Sequence, residues 1–262
     1  MEWGKVKSIL IALLAVTNVI LGVSIHSQLQ ERRESERASM ESALTLLRNA
    51  GVGFDEQIFW GLPDSLVQYS APRSEETEAA AAKALLGDYV YQEAGGGIAI
   101  YTSEKGSVTF RSGGLMEAHL TDGRSAQELL DALLQAAGTA RGDCAVEQTL
   151  SGVCAQLYVG GYEAVGAALE CEDTADGASA SGRWVFAPAL SQDGVGESRP
   201  EMLVALLQLE REEPSDIQSV EAVCVLEQTQ DGGVRLIPAW RIETQSEQII
   251  LNCMTKKQIP AE

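Results

Sequence analysis

An 18-residue segment without a charged residue, Ser8 to Ile25, constrains this chain more than any other feature of its sequence. As a helix it would be about 27 Å long, close to the roughly 30 Å of a bilayer's hydrocarbon core. It exceeds the apolar region of most secretory signal peptides, and no small-residue cleavage site follows it. The sequence therefore predicts an uncleaved single-pass membrane anchor rather than a signal peptide.

The distribution of charge predicts which side of the membrane holds most of the chain. The 19 basic and 38 acidic residues give a net charge of −19, and nearly all of this acidity follows the anchor. Three arginines after the anchor, against two lysines before it, mildly favour the opposite orientation, but they alternate with glutamates, and long domains are translocated largely regardless of charge. We expect the N-terminus to be cytoplasmic and the residues after the anchor to be extracellular. So acidic a surface would repel phosphate, and we therefore predict that nucleic acid is not a partner.

A helical stalk is predicted directly after the anchor. Residues Gln28 to Asn49 contain neither Gly nor Pro, and Gly51 supplies a C-cap signal. In the second half of this helix the apolar side chains recur at helical spacing, and they are Met40, Ala43, Leu44 and Leu47. We expect that half to be buried on one side and the first half to be solvated.

Beyond the stalk, capping signals and glycine turns predict a helix followed by short antiparallel strands, three times over. The three helices begin at Ser74, Ser125 and Ser198. The predicted strands are Tyr89 to Glu93, Ile98 to Thr102, Val108 to Arg111, Leu115 to Leu120, Cys144 to Leu150, Val153 to Val159, Val165 to Cys171, Trp184 to Phe186, Val220 to Gln228, Val234 to Glu243 and Gln248 to Cys253. A loop with Pro63 and Pro72 precedes the first helix, and the stretch Ala175 to Gly182 is predicted to be a surface loop.

This order of elements indicates an α+β fold with helices on one face of antiparallel sheets. The predicted divisions are the N-terminal end and anchor (1–27), the stalk (28–50), a first α+β module (51–124) and a second α+β region (125–262).

The sequence offers little that could carry catalysis, and we assign no catalytic, cofactor-binding or metal-binding residue. The two histidines are His26, at the predicted membrane boundary, and His119. With Asp122 three residues on, His119 could be a general base with its orienting carboxylate. No nucleophile motif such as G-x-S-x-G lies nearby, so a surface histidine is the favoured interpretation.

The cysteines and acidic clusters are interpreted in the same way. The five cysteines lie in or beside predicted strands, where cysteine acts as a small buried hydrophobe, and the sequence has no C-x-x-C pair. The alternative is a disulfide between Cys144 and Cys154 across a hairpin. Two acidic clusters, within 170–176 and 210–216, lack the calcium-loop pattern and are predicted to be solvated.

Three short stretches resemble the YycH/YycI family of membrane-anchored regulators, and YycI in particular. They are the opening residues Met1 to Lys7, the helix end Leu46 to Val52, and Leu236 to Ile242, whose Pro-Ala-Trp-Arg-Ile is similar to a strand of that family and of related PepSY-like modules. The order of predicted elements resembles the family over the full length of the chain. The amino-acid similarity is confined to these three stretches. None of them is a catalytic signature.

The resemblance implies a protein that is not an enzyme. Its anchor and extracellular domain would contact a WalK-like sensor histidine kinase and a YycH-like companion, and so adjust a two-component system that controls cell-wall metabolism in Gram-positive bacteria. The alternative is a PepSY-like extracellular inhibitor or binding module for a wall hydrolase or wall polymer. No cofactor is implied in either case.

Overall fold

The computed structural model describes residues 3–63, 65–186, 191–195, 199–208 and 216–260. The helices are α1 (Trp3–Asn49), α2 (Gln57–Trp60), α3 (Glu75–Leu86), α4 (Ala126–Ala136) and α5 (Arg199–Gln208). The strands are β1 (Val67–Ala71), β2 (Val90–Gly95), β3 (Ile98–Ser103), β4 (Gly106–Phe110), β5 (Leu115–Leu120), β6 (Cys144–Gln148), β7 (Gly152–Val159), β8 (Tyr162–Thr174), β9 (Gly177–Arg183), β10 (Ser191–Val195), β11 (Ile217–Gln228), β12 (Val234–Thr244), β13 (Gln248–Asn252) and β14 (Gln258–Ile259). Short 3-10 turns span Ser112–Gly114 and Arg141–Asp143.

All of these strands belong to one large sheet, so the fold is mixed α+β. Its main path runs β10-β1-β12-β11-β8-β9-β5-β4-β3-β2, with β6 and β7 branching from β8, and β13 and β14 branching from β12. The sequence predicts antiparallel pairing throughout, and this is wrong at one place, because β11 and β8 run parallel. The 13-residue β8 pairs with β11 through Glu163–Val165 and with β9 through Leu169–Thr174. A single long strand therefore joins the two halves of the sheet.

Helices α3 and α4 cover the half of the sheet that contains β2 to β9, and they supply much of its core. Both helices begin as predicted. The Ser74 hydroxyl accepts from the Thr77 N–H at 3.2 Å, and Ser125 and Glu128 form a full capping box. Their leucines, including Leu85 and Leu129, are completely buried against the strands. Apolar residues at helical spacing thus place both helices on one face of the sheet.

The second half of the sheet is covered by α5 and by the C-terminal part of α1. Met40, Ala43, Leu44 and Leu47 of α1 are each at most 2% exposed. They share a core with buried residues of α5 and of the strands, among them Leu203 and Trp240. The predicted buried face of the stalk is confirmed. The described side chains of residues 28–39 are exposed, apart from a partly buried Glu36.

The segments predicted as anchor and stalk lie on one helix, since α1 runs unbroken from Trp3 to Asn49. Within the part of the chain that the structure describes, none of the helices has the length and apolar character needed to cross a membrane. Most side chains of Ser8 to Ile25 lie outside that part. The helix predicted to begin at Ser198 corresponds to α5, and Ser198 itself is not among the described residues.

Three local predictions are wrong. The stretch Ala175 to Gly182, predicted as a loop, largely forms β9, which pairs with β8 and β5 inside the sheet. Its small residues fit closely packed backbone, because a Cβ on Gly182 would come within 2.1 Å of the Ala168 carbonyl oxygen. Trp184 to Phe186, predicted as a strand, is a buried segment without strand pairing. Part of the loop predicted before α3 is β1, which pairs with β12 and β10.

Candidate interaction site

A groove of about 830 Å³ separates α4 from β6. Its walls combine apolar side chains with polar side chains and one carboxylate. They are Gln127, Asp131, Leu134, Gln135, Thr139, Cys144 and Val146. The alternation of β6 sends Cys144 and Val146 to the helix side of the sheet, whereas Glu147 points to the other side. Because β6 is the outermost strand at this point, α4 covers it only partly.

Strand β6 is an edge of the sheet, since among the described strands it pairs with β7 alone. The Thr149 N–H donates to the Gly152 carbonyl oxygen at 2.9 Å where the two strands meet. In antiparallel pairs the residues that bond to the partner alternate with residues whose backbone groups point away. Counting back from Thr149, the backbone N–H and C=O groups of Val146 and Gln148 point away from β7. Val146 is also 45% exposed.

A second cleft, of about 690 Å³, meets the groove at Thr139. Small residues form much of this cleft, among them Ala80, Ala136 and Gly160. Beneath the junction, the indole N–H of the buried Trp184 donates to the Thr139 hydroxyl at 3.1 Å. This hydrogen bond connects the segment after α4 to the core, and Trp184 lies beneath the residue at which the two clefts meet.

Two arginines form ion pairs between neighbouring elements of the structure. Arg73, just after β1, forms a bidentate pair with the buried Glu78 of α3 at 2.7 and 2.8 Å, and it also donates to the Gly97 carbonyl oxygen. Burial and the nearby Glu78 carboxylate raise the pKa of Tyr101 to about 12. On the opposite half, Arg241 pairs with both Glu163 and Glu221. Both guanidinium groups already have partners within the fold, so we assign these ion pairs a structural role.

The structure does not join His119 and Asp122 into an acid-base pair. His119 lies exposed on β5, opposite Ser107 and Ser179. The Asp122 carboxylate accepts instead from the guanidinium of Arg124 at 3.0 Å. His26 lies exposed on α1. The histidines thus remain surface side chains, as the sequence indicates.

Two of the acidic residues within 170–176, Glu172 and Asp173, have hydrogen-bond partners within the fold. Asp173 accepts from the Ala126 N–H at 2.7 Å at the start of α4, and Glu172 accepts from the Ser151 hydroxyl. Most of the second cluster lies outside the described residues, but Asp216 accepts from the Gly53 N–H. Among the described residues, no group of three His, Cys, Asp or Glu side chains could hold a metal ion.

All five cysteines are described, and none is in a disulfide. Cys144 lies opposite Leu157 and Cys154 opposite Glu147, so the two thiols do not face each other across the hairpin. Burial raises the pKa of Cys171 to about 12 and that of Cys224 to about 11. Burial, followed by the Glu170 and Glu147 carboxylates, also raises the pKa of Cys154.

These environments predict an order of thiol reactivity, since the thiolate is the species that reacts. Iodoacetamide at pH 8 should label partly exposed Cys144 and Cys154 in the folded chain, and the buried Cys171, Cys224 and Cys253 only after unfolding. Peptide mapping by mass spectrometry checks this order, and rapid native labelling of Cys171 would contradict it. Folding raises the pKa of both Cys171 and Cys224, so the stability contributed by their neutral thiols is complete below about pH 9 and falls as pH rises towards 12.

Sequence patterns did not identify the groove. Its walls come from a helix and a strand whose individual patterns indicate only burial. The available signal was the exposed turn at Leu150 and Ser151 after a short strand, which marks a hairpin but not which of its strands lies at an edge.

Comparisons with known proteins yield structural likeness only. No protein-family model and no curated protein matches the chain. An uncharacterized protein from Eubacterium rectale is 11% identical, with a TM-score of 0.38 over 76% of this chain and 86% of its own. The Bacillus megaterium YpeB C-terminal domain is 8% identical, with a TM-score of 0.34 over 73% of this chain and 98% of its own. The resemblance to YycH/YycI stays a prediction.

Proposed function

We propose that this protein is a membrane-anchored regulator, without enzymatic activity, of a sensor histidine kinase. One observation carries the proposal. The uncharged segment Ser8 to Ile25 and the buried residues Met40, Ala43, Leu44 and Leu47 lie on the same helix, α1. The segment that would cross the membrane therefore continues without a break into the core of the folded domain.

This continuity gives the proposal a mechanism. About 15 residues of exposed helix, or roughly 22 Å, separate Ile25 from Met40. A shift or rotation of the anchor would move the extracellular domain with it, because the last turns of α1 are packed under α5 and the sheet. Anchoring in the same bilayer as a kinase would also raise the effective concentration of the two proteins, so weak contacts would suffice.

The proposed partners follow from the resemblance to YycH/YycI. They are a WalK-like kinase and a YycH-like companion, and the regulated process is cell-wall metabolism. The Leu236 to Ile242 stretch that carries part of the resemblance lies in β12, where Leu236, Trp240 and Ile242 are buried. We therefore place the partner contacts on α1 and on the exposed surface rather than on this strand.

The test compares three forms of the chain in membranes of a host that contains the kinase. We expect the intact chain to stay in the membrane after a carbonate wash and to crosslink to the kinase. A form that begins at Ser27, and so lacks the anchor segment, should bind the kinase poorly and fail to regulate it. A form with an unrelated anchor should regulate less if anchor side chains pack against the kinase, since packing between membrane helices is specific.

A different result would support the second candidate, a soluble binding module, which the groove between α4 and β6 favours. If the form that begins at Ser27 regulates the kinase as well as the intact chain does, the proposed complex with the kinase in the membrane is wrong. The same conclusion follows if the mature chain begins near residue 27 and is recovered in the soluble fraction.

A further inference from the structure

We propose that the edge strand β2 binds an extended segment of a partner protein in which basic and aliphatic residues alternate. The segment would add an antiparallel strand to the sheet beside β2, with its basic side chains on the face that carries Tyr91 and Glu93. This edge belongs to the folded domain, so its occupancy does not depend on membrane anchoring or on a kinase. The proposal therefore goes beyond the proposed function.

Strand β2 ends the main path of the sheet, and among the described strands it pairs with β3 alone. All six of its residues are exposed. An exposed edge strand offers unpaired backbone N–H and C=O groups to another chain. The strand spans about 20 Å, so a segment of about five to seven residues would cover the edge.

The hydrogen-bond pattern of the neighbouring strands shows which groups of β2 are open. Arg111, directly after β4, donates its N–H to the Leu115 carbonyl oxygen of β5 at 2.8 Å. In antiparallel strands this direction alternates from residue to residue, and the register carries it from β4 through β3 to β2. The N–H and C=O groups of Tyr91 and Glu93 therefore point away from β3.

The side chain of Tyr91 provides an aromatic contact at this edge. Tyr91 and Glu93 lie opposite Tyr101 and Ala99, which are buried on the face that α3 covers, so all four side chains project to that face. The Tyr91 and Tyr101 ring centroids are 5.2 Å apart, and Tyr91 is still 47% exposed. A buried ring thus positions an exposed one, which a lysine or arginine of the partner could contact.

The charges around Tyr91 determine the chemistry of the partner. Burial, followed by the carboxylates of Glu93 and of Glu75 at the start of α3, raises the pKa of Tyr91. The nearby cation, Arg73, is already in its bidentate pair with Glu78. Glu75 and Glu93 are both exposed, and neither forms an ion pair with a described side chain. Basic residues opposite Tyr91 and Glu93 would complement these two carboxylates.

The opposite face of β2 determines the alternate residues of the segment. Val90 is 72% exposed, and its diagonal neighbour on β3 is the partly exposed Ile100. Aliphatic side chains at every second position of the added strand would cover Val90 and remove apolar surface from water.

Charge also decides between a foreign segment and a second copy of this chain. A second copy would bring its own Glu75 and Glu93 to the edge, along with a net charge of −19. Like charges placed together at an interface oppose association. A basic segment complements the same carboxylates, so it is the occupant that we propose.

The binding test uses the full chain in nonionic detergent micelles and the fluorescein-labelled heptapeptide Arg-Val-Arg-Val-Arg-Val-Arg, with binding followed by anisotropy. We expect saturable binding that Glu93→Lys weakens about fivefold, since exposed charge pairs contribute modestly. Glu170→Lys makes the same charge change on an exposed residue of β8, inside the sheet, and should leave binding unchanged. Tyr91→Leu removes the ring and should weaken binding about two- to fivefold. Circular dichroism checks that each variant keeps its fold.

Two methylated peptides test the backbone pairing. In an antiparallel pair, the arginines opposite Tyr91 and Glu93 direct their N–H groups to β2 and the valines direct theirs away. N-methylation of the arginine amides should therefore abolish binding, and N-methylation of the valine amides should not. Binding that survives methylated arginine amides would overturn the proposal, as would equal effects of Glu93→Lys and Glu170→Lys.

Sedimentation tests the alternative occupant. Tyr91→Pro removes one outward N–H of β2 and leaves the bonds to β3 in place. We expect the intact chain to sediment in the same oligomeric state as this variant. A dimer that Tyr91→Pro converts into a monomer would place a second copy on the edge, and the proposal would then be wrong.

Discussion

A chain shortened to begin at Gly51 is expected to lose its folded structure, whereas one beginning at Ser27 keeps it. The shorter form lacks Met40, Leu44 and Leu47, each at most 2% exposed in the intact chain. Full burial of such a side chain contributes about 1.5–3 kcal/mol, so the loss of three is about 4.5–9 kcal/mol, comparable with the whole stability of many domains. Urea unfolding of the two forms, followed by circular dichroism, makes the comparison.

Two adjacent leucines provide a matched control for this result. Leu47 is 1% exposed and Leu46 is 52% exposed on the same turn of α1. Leu47→Ala should lower the free energy of unfolding by about 2–5 kcal/mol, and Leu46→Ala by less than about 0.5 kcal/mol. Similar values for the two variants would mean that α1 does not pack on the domain, and the mechanism proposed for the anchor would then fail.

Replacement of Trp240 by alanine is the second large effect that we expect. Trp240 is 1% exposed on β12, under α1 and α5, so Trp240→Ala should lower the free energy of unfolding by about 3–5 kcal/mol. Among the described residues no group accepts a hydrogen bond from its indole N–H. Because this unsatisfied donor already costs stability, Trp240→Phe should be far milder than Trp240→Ala. Thermal and urea unfolding measure both variants.

Trp60 is the control for the same chemical change. Its side chain is 41% exposed, so Trp60→Ala should cost much less than Trp240→Ala. If Trp240→Ala unfolds like the intact chain but loses a partner, Trp240 is an interface residue and its structural assignment is wrong.

The sequence predicted what depends on neighbouring residues along the chain. The caps of α3 and α4, the buried face at Met40 to Leu47 and most strands follow from spacing, capping residues and glycine turns. These signals are local, and the tertiary structure left them unchanged. The α+β class followed from their order.

Only the tertiary structure decided which strands became neighbours and which of them remained open. The stretch Gly177–Arg183 resembles a loop in composition, yet it forms a strand because β8 and β5 pair with it on both sides. Its glycines fit there, since a Cβ on Gly177 or Gly182 would meet a neighbouring carbonyl oxygen at 2.4 or 2.1 Å. The parallel pairing of β8 with β11 joins residues about 60 positions apart, which no local pattern encodes. The open edge of β6 and its groove depend on the same long-range pairing. Local sequence therefore determined most elements of this protein, and chain topology determined the remaining strands and the candidate site.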